Sequence, residues 1–224
     1  MTKTEKRTQR IKMLCAMAML TALAIVVDFF LRIPNIGGIL TYEPKDAVLT
    51  IGAFIFGVVP GLIMSFVVCL VEMLTISTTG PIGLLMNFLP SAVFVVVSSL
   101  IYHRRKTLSR AIIGLVAGSL SMVIIMLLWN YIITPIYMGV PREAVLELFL
   151  PLIIPFNVIK VALNSALVLF LYKGVVTALR KSRLIPTRED NDTEKKKNTI
   201  IMVCASALLT VTFILVLLIF AKII

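Results

Sequence analysis

The sequence predicts an all-α, polytopic membrane protein: a six-helix bundle followed by one extra C-terminal transmembrane helix. Three observations carry this reading. Hydrophobic residues make up 59% of the 224 residues and mean hydropathy is +1.04, more apolar surface than a soluble domain of this length can bury. The apolar residues fall into seven runs, near 11–31, 46–59, 61–76, 82–102, 111–137, 148–172 and 199–220; a bilayer core about 30 Å thick takes roughly 20 residues of helix. The basic residues gather at every second connection between the runs.

The first run is continuous and follows Lys3, Lys6, Arg7, Arg10 and Lys12. The second and third are individually short and meet at Pro60-Gly61, which predicts a tight helical hairpin or a broken pair. The fourth starts after Thr78-Thr79-Gly80-Pro81, and the fifth is long, with Pro135 expected to end or kink it. In the sixth, Pro151 and Pro155 loosen the helix just before Asn157 and Lys160. Residues 1–183 form the six-helix membrane domain, 184–198 (LIPTREDNDTEKKKN) a polar cytoplasmic linker, and 199–224 the additional helix.

The net charge of +11 invites a nucleic-acid partner, but its placement argues against one. The N-terminal cluster, the Arg104–Arg105–Lys106–Arg110 group and the basic residues after the sixth run all lie on one side of an alternating topology. The positive-inside rule makes that side the cytoplasm and places the N-terminus inside. The opposite side holds only Arg32, Lys45 and Arg142 near run ends. Cys15, Cys69 and Cys204 fall within the apolar runs and suggest neither a disulfide framework nor a metal site.

An ionisable group inside an apolar run is a functional candidate, because insertion costs about 2.5–3.5 kcal/mol. Lys160 is the clearest such group, and Asn157, one turn earlier, shares its helix face. Asp28, Glu72, Asn87, Asn130, Tyr131 and Asn164 also fall within runs, most of them toward the outer ends. The inner halves hold mainly Ser and Gly. That distribution predicts a pocket open to the outside and closed beneath by apolar packing. The first outer loop, Arg32 to Asp46, is the natural lid, with Gly37 and Gly38 for movement and Tyr42, Glu43 and Asp46 as polar cover. A plain solvated loop remains the alternative for Glu43, Lys45 and Asp46, and an ion pair with Glu72 or Asp46 the alternative for Lys160. Ala18 and Ala22 form a small-xxx-small face, extended by Ala16 and Ala24, suited to docking a membrane partner.

Motifs for nucleotide hydrolysis, zinc proteolysis and serine hydrolysis are missing from the sequence, and the one histidine, His103, falls in a basic cytoplasmic loop. The residues predict a binding protein and not an enzyme.

The residues Leu40-Thr-Tyr42-Glu43-Pro-Lys-Asp46, Ile51-Gly-Ala-Phe-Ile-Phe-Gly57, Asn87-Phe88, Asn130-Tyr131 with Pro135-Ile-Tyr137, and Pro155-Phe-Asn157-Val-Ile-Lys160 carry a resemblance. Over roughly residues 10–180 the chain resembles the substrate-binding S components of energy-coupling factor (ECF) vitamin transporters, in particular their riboflavin-specific branch. The resemblance implies that Asn157, Lys160 and Asn130 face a bound flavin and that Tyr42, Glu43 and Asp46 cover it. Asn87, Tyr131, Glu72 and Asn164 complete the candidate substrate-binding set. It implies a transmembrane coupling subunit met by the Ala18–Ala22 face, two cytoplasmic ATPase subunits, a cell-membrane location, and no cofactor beyond riboflavin as transported ligand. Three departures stand near the lid and pocket: Tyr42-Glu43-Pro44-Lys45-Asp46-Ala47-Val48 replaces the family's Tyr-Asp-x-Ser-Asp-x-Pro, Gly57-Val-Val-Pro60-Gly61 replaces its Gly-Pro turn, and Val68 stands where relatives carry a lysine. The alternatives are an S component for another vitamin, an ion-coupled carrier using Asp28, Glu72 and Lys160 as a relay, and an interaction scaffold whose polar residues only join helices.

Overall fold

The computed structural model describes residues 3–36, 40–77, 80–182 and 184. In chain order it contains α1 (Lys3–Leu31), the strands β1 (Ile33–Ile36) and β2 (Leu40–Tyr42), α2 (Lys45–Phe56), α3 (Val58–Thr75), α4 (Gly80–His103), α5 (Leu108–Met138), the short α6 (Arg142–Glu147), a π-helical turn (Phe149–Ile153) and α7 (Ile154–Lys181). The expected seventh membrane helix and nearly all of the polar linker lie outside the described residues. Five stretches are long and apolar enough to cross a bilayer: α1, α3, α4, α5 and the continuous Arg142–Lys181 segment.

The expected second segment differs. At 12 residues α2 is about 18 Å long, short of a bilayer's width. It is instead the centre of the bundle. Its residues Lys45 to Phe54 are all buried, and it packs against α1, α3, α4 and α7. A helix apolar around nearly its whole circumference is stable only when neighbours cover every face.

The break between α2 and α3 falls at Gly57, not at Pro60-Gly61. Gly57 takes φ 115°, a backbone region that a side chain disfavours, whereas Pro60 sits in the first turn of α3, where a missing N–H costs nothing. Gly61 serves packing: a Cβ there would overlap the Ala53 side chain and press on Val95. Pro135 does not end α5 either. The helix runs three residues further and stops at Gly139, in the left-handed conformation, whose N–H bonds the Pro135 carbonyl. His103 is not in a loop; it closes α4, and its Nε2 lies 2.8 Å from the Ala53 carbonyl near the end of α2.

Two apolar clusters hold the bundle together. One joins α1, α2 and α3 through Ala16, Leu20, Ala24, Leu49, Ala53, Met64 and Val68. The other joins α2, α4, α5 and α7 through Ile51, Phe54, Phe94, Leu115, Met122, Val161 and Val168. Phe54 stacks on Tyr102, whose hydroxyl meets that of Tyr172 at 2.7 Å. The alanines of α1 divide. Ala16 and Ala24 are fully buried in the first cluster, while Ala18 and Ala22 face outward. Two residues of α-helix turn about 200°, so the four alanines cannot share one surface. Cys15 is likewise exposed and Cys69 buried.

Gly61→Ala is expected to destabilise the fold by about 1–3 kcal/mol through overpacking. Gly174→Ala, where a Cβ meets nothing within 4 Å, is expected to be neutral or slightly stabilising. Thermal unfolding of the two variants in detergent checks the contrast; equal midpoints would contradict the close α2–α3 approach.

Candidate functional site

One end of the bundle concentrates the polar chemistry. The chain leaves α1, makes the antiparallel β1–β2 hairpin with Ile33 opposite Tyr42 and Ile36 opposite Leu40, and re-enters the bundle as α2. Among the described residues this hairpin is the one element that the all-α expectation did not contain. It directs Tyr42, Glu43, Lys45 and Asp46 down onto the ends of α1, α3, α4 and α7. Glu43, Lys45 and Asp46 are 1%, 0% and 0% exposed, which rules out a solvated loop.

Lys45 lies between two carboxylates. Its Nζ donates to Glu72 Oε2 and lies 3.1 Å from Glu43 Oε1. Arg32, at the end of α1, donates from Nη1 to Glu72 Oε1 at 2.7 Å and lies 3.8 Å from Glu43 and 4.0 Å from Asp28. Asn87 on α4 donates to the same Glu72 oxygen at 2.8 Å. Asp46, in the first turn of α2 where the helix dipole favours an anion, accepts from Ser91 of α4. Carboxylate oxygens of Asp28, Glu43 and Glu72 lie within 4.8 Å of one another. Arg32 and Lys45 already occupy the space among them, so the cluster is an ion-pair network and not a metal cage.

Lys160 reaches this network from α7. It donates to Glu43 Oε2 at 2.9 Å and to the Thr41 carbonyl at 3.4 Å. Its partner is thus Glu43, not Glu72 or Asp46. Asn164, one turn on, donates to the Glu43 carbonyl at 3.2 Å and accepts from the Tyr42 hydroxyl at 3.3 Å. Burial, and secondarily the Asp46 charge, push the Tyr42 hydroxyl above its ordinary pKa, so it remains a donor. Burial would raise the Glu43 carboxyl, but Lys160 and Lys45 outweigh it and hold that group ionised well below the usual carboxylate range.

Asn157 and Asn130 are both buried, and their hydrogen bonds stay within their own helical segments. Asn130 is satisfied within α5, donating to the Met126 carbonyl and accepting from Thr134 at 3.0 Å. Asn157 donates to the Ile153 carbonyl at 2.8 Å, while its Oδ1 has no partner among the described residues. It follows the π-helical turn, where the Ile153 N–H reaches back five residues to Leu148. The cause is local: Pro151 and Pro155, four apart, each delete the donor of an α-helical bond. Tyr131 does not join the others. It is 40% exposed on the outer face of α5, with the Arg142 guanidinium 5.6 Å from its ring centre. Trp129 is half-buried on the same helix.

Arg32, Lys45 and Ser91 belong to this network although the sequence does not single them out as site residues, and Asp28 joins them. Asp28 is 2% exposed. Its i,i+4 spacing to Arg32, at the end of an apolar run, was the available signal.

The comparisons agree with this architecture. The family model described as ECF transporter, substrate-specific component, matches residues 12–172. The riboflavin transporter RibU of Staphylococcus aureus (strain TCH60) is 31% identical over 180 residues, covering 77% of this chain and 95% of that protein. A solved S component of a bacterial ECF transporter superposes with a TM-score of 0.65 at 30% identity, covering 76% of this chain and 99% of its own.

The Glu43 ion pairs have a pH signature. Because the folded carboxyl titrates below the unfolded one, their stabilisation is complete above the ordinary glutamate pKa of about 4.3 and is lost as pH falls below it. The thermal midpoint is expected to drop as pH is lowered from about 5 to 3, and to drop less steeply in Glu43→Gln. Superimposable profiles for the two proteins would contradict the pairing.

Proposed function

The chain belongs to the substrate-specific components of ECF transporters, a family of multi-pass membrane transport subunits and not of enzymes, and from that premise we propose that it captures riboflavin outside the cell. Asn157 and Lys160 bond the polar edge of the isoalloxazine ring, with Asn130 and Asn164 lining the same space. Tyr42, Glu43 and Asp46 close over it, and Asn87 and Glu72 brace the closed lid. Tyr131, facing outward, is not part of this set. The observation that carries the reading is the convergence of Lys160 and Asn164 on the lid at Thr41, Tyr42 and Glu43, in a chain 31% identical to a riboflavin transporter. A flat, largely apolar ring with one polar edge suits an apolar bundle holding a few amides and one ammonium.

Delivery then requires a membrane coupling subunit and two cytoplasmic ATPases, because the chain has no phosphate-binding loop of its own. The outward Ala18 and Ala22 give α1 a surface a partner helix could approach closely. The lid end faces outward and the N-terminus lies inside, since the α4–α5 connection with Arg104, Arg105 and Lys106 lies at the opposite end.

Titration of the purified chain with riboflavin, followed by flavin and Trp129 fluorescence, is expected to show saturable one-to-one quenching. Lys160→Ala is expected to weaken it by about 10- to 100-fold, the worth of a hydrogen bond to a charged group. Uptake is expected to need ATP and the partner subunits; uptake by the chain alone, driven by an ion gradient, would overturn the proposal. In intact cells an N-terminal tag is expected to resist added protease, and its cleavage would reverse the assigned orientation.

A further inference from the structure

Helix α1 is longer than the membrane it crosses. At 1.5 Å per residue its apolar run, near 11–31, already spans about 31 Å, the depth of a bilayer core. Residues 3–10 precede that run and continue the same helix for about 12 Å. The headgroup layer on either side is about 5–7 Å deep. Arg10 therefore stands within that layer, Arg7 at its edge, and Lys3 and Lys6 beyond it. An ordinary helix tilt of about 20° changes this reach little. Residues 3–12 are exposed throughout, so the extension also clears the rest of the bundle.

The charges of this extension are aligned. Lys3, Lys6, Arg7 and Arg10 follow the i, i+3, i+4, i+7 spacing and fall within an arc of about 100°, while Thr4, Glu5, Thr8 and Gln9 take the remaining circumference. Among the described residues none of the four cations has a side-chain ion-pair or hydrogen-bond partner. The alignment costs helix stability: Lys3–Arg7 and Lys6–Arg10 are like-charge pairs one turn apart, and cations oppose the dipole at a helix N-terminus. The positive-inside rule concerns how many cations lie near the membrane and is indifferent to the face they occupy. A single-faced, unpaired stripe is instead suited to a complementary acidic surface. The stripe also continues a surface already described. Arg10, Leu14, Ala18 and Ala22 are four residues apart, all exposed, and form one ridge along α1. The family model begins at residue 12, so the stripe lies ahead of the matched residues.

We infer that Lys3, Lys6, Arg7 and Arg10 form a docking surface for an acidic cytoplasmic patch on the membrane coupling subunit, engaged together with the Ala18–Ala22 ridge. The inference rests on the orientation and the coupling-subunit reading proposed above and deepens them. Small residues allow close approach inside the membrane but fix position along the helix axis weakly. Cations at set heights outside the membrane fix that register and speed encounter. The occupant is a protein surface and not the bilayer, because the continuous helix carries Lys3 and Lys6 past the lipid phosphates.

The test uses the full-length chain and the triple variant Lys3→Gln, Lys6→Gln, Arg7→Gln, which keeps Arg10, Lys12 and the Arg104–Arg105–Lys106 group to hold the orientation. Equal thermal midpoints of the two chains show that the variant is folded. Binding of each to the purified coupling subunit with its two ATPases is measured in lipid-free detergent at about 50 mM and about 500 mM salt, then with phosphatidylglycerol added. The variant is expected to bind about tenfold or more weakly at low salt, and the two chains to converge at high salt. In the native complex a zero-length carbodiimide is expected to join the Lys3 or Lys6 amine to an aspartate or glutamate of the coupling subunit. Equal low-salt affinities in detergent overturn the inference. So does a difference that arises only once phosphatidylglycerol is present, which makes the occupant a lipid surface. No binding of the native chain to the coupling subunit overturns the coupling-subunit reading itself and the inference with it, while riboflavin capture is left standing.

Discussion

The structure depends on one constraint: charges inside an apolar bundle must be matched by opposite charges from another part of the chain. Lys45 is fully buried at the head of the central helix, and Lys160 is buried on α7. Leaving such a charge without its partner costs about 3–5 kcal/mol, comparable to the net stability of many domains. Neither lysine finds a carboxylate on its own helix. Glu43 on the hairpin and Glu72 on α3 supply them. The hairpin is therefore drawn down between α1, α3 and α7 by electrostatic need, and its two short strands mainly set which residues point inward. Lid and pocket are a single polar structure.

The apolar packing prepares that result. A helix of 12 residues cannot reach both faces of a membrane, so α2 must be enclosed by its neighbours. Gly57 turns the chain directly back into α3, and Gly61 lets α3 lie against Ala53. That close approach brings the far end of α3, with Glu72, alongside the near end of α2, with Lys45. The ion pair is thus a product of where two glycines sit some distance along the chain.

Much of this was legible in the sequence because a lysine or asparagine in an apolar run is conspicuous. Lys160, Asn157, Asn130, Glu72 and Asn87 stand out for that reason, and the structure buries or half-buries all of them. The opposite held for Pro44-Lys45-Asp46. Three residues of turn-like composition look the same whether water or a protein interior surrounds them, and burial there is decided by helices distant in sequence. Arg32 was hidden in the same way among flanking charges. Tyr131 shows the converse: adjacency to Asn130 in sequence means a turn of about 100° on a helix, enough to carry it from the buried face to an exposed one. The α1 alanines mislead for the same geometric reason. At Pro135 and Pro60 the residue type suggested a stop, but helix ends are set by the backbone conformation that Gly139 and Gly57 adopt.

The uneven distribution of polarity along the bundle also has an electrical meaning. Buried charged side chains crowd one end, while Phe94, Leu115, Met122 and Val168 fill the space beneath them, and Ser65 and Ser99 turn their hydroxyls onto carbonyls of their own helices. Among the described residues this layer is mainly apolar packing, which has the character of a capacitor's dielectric.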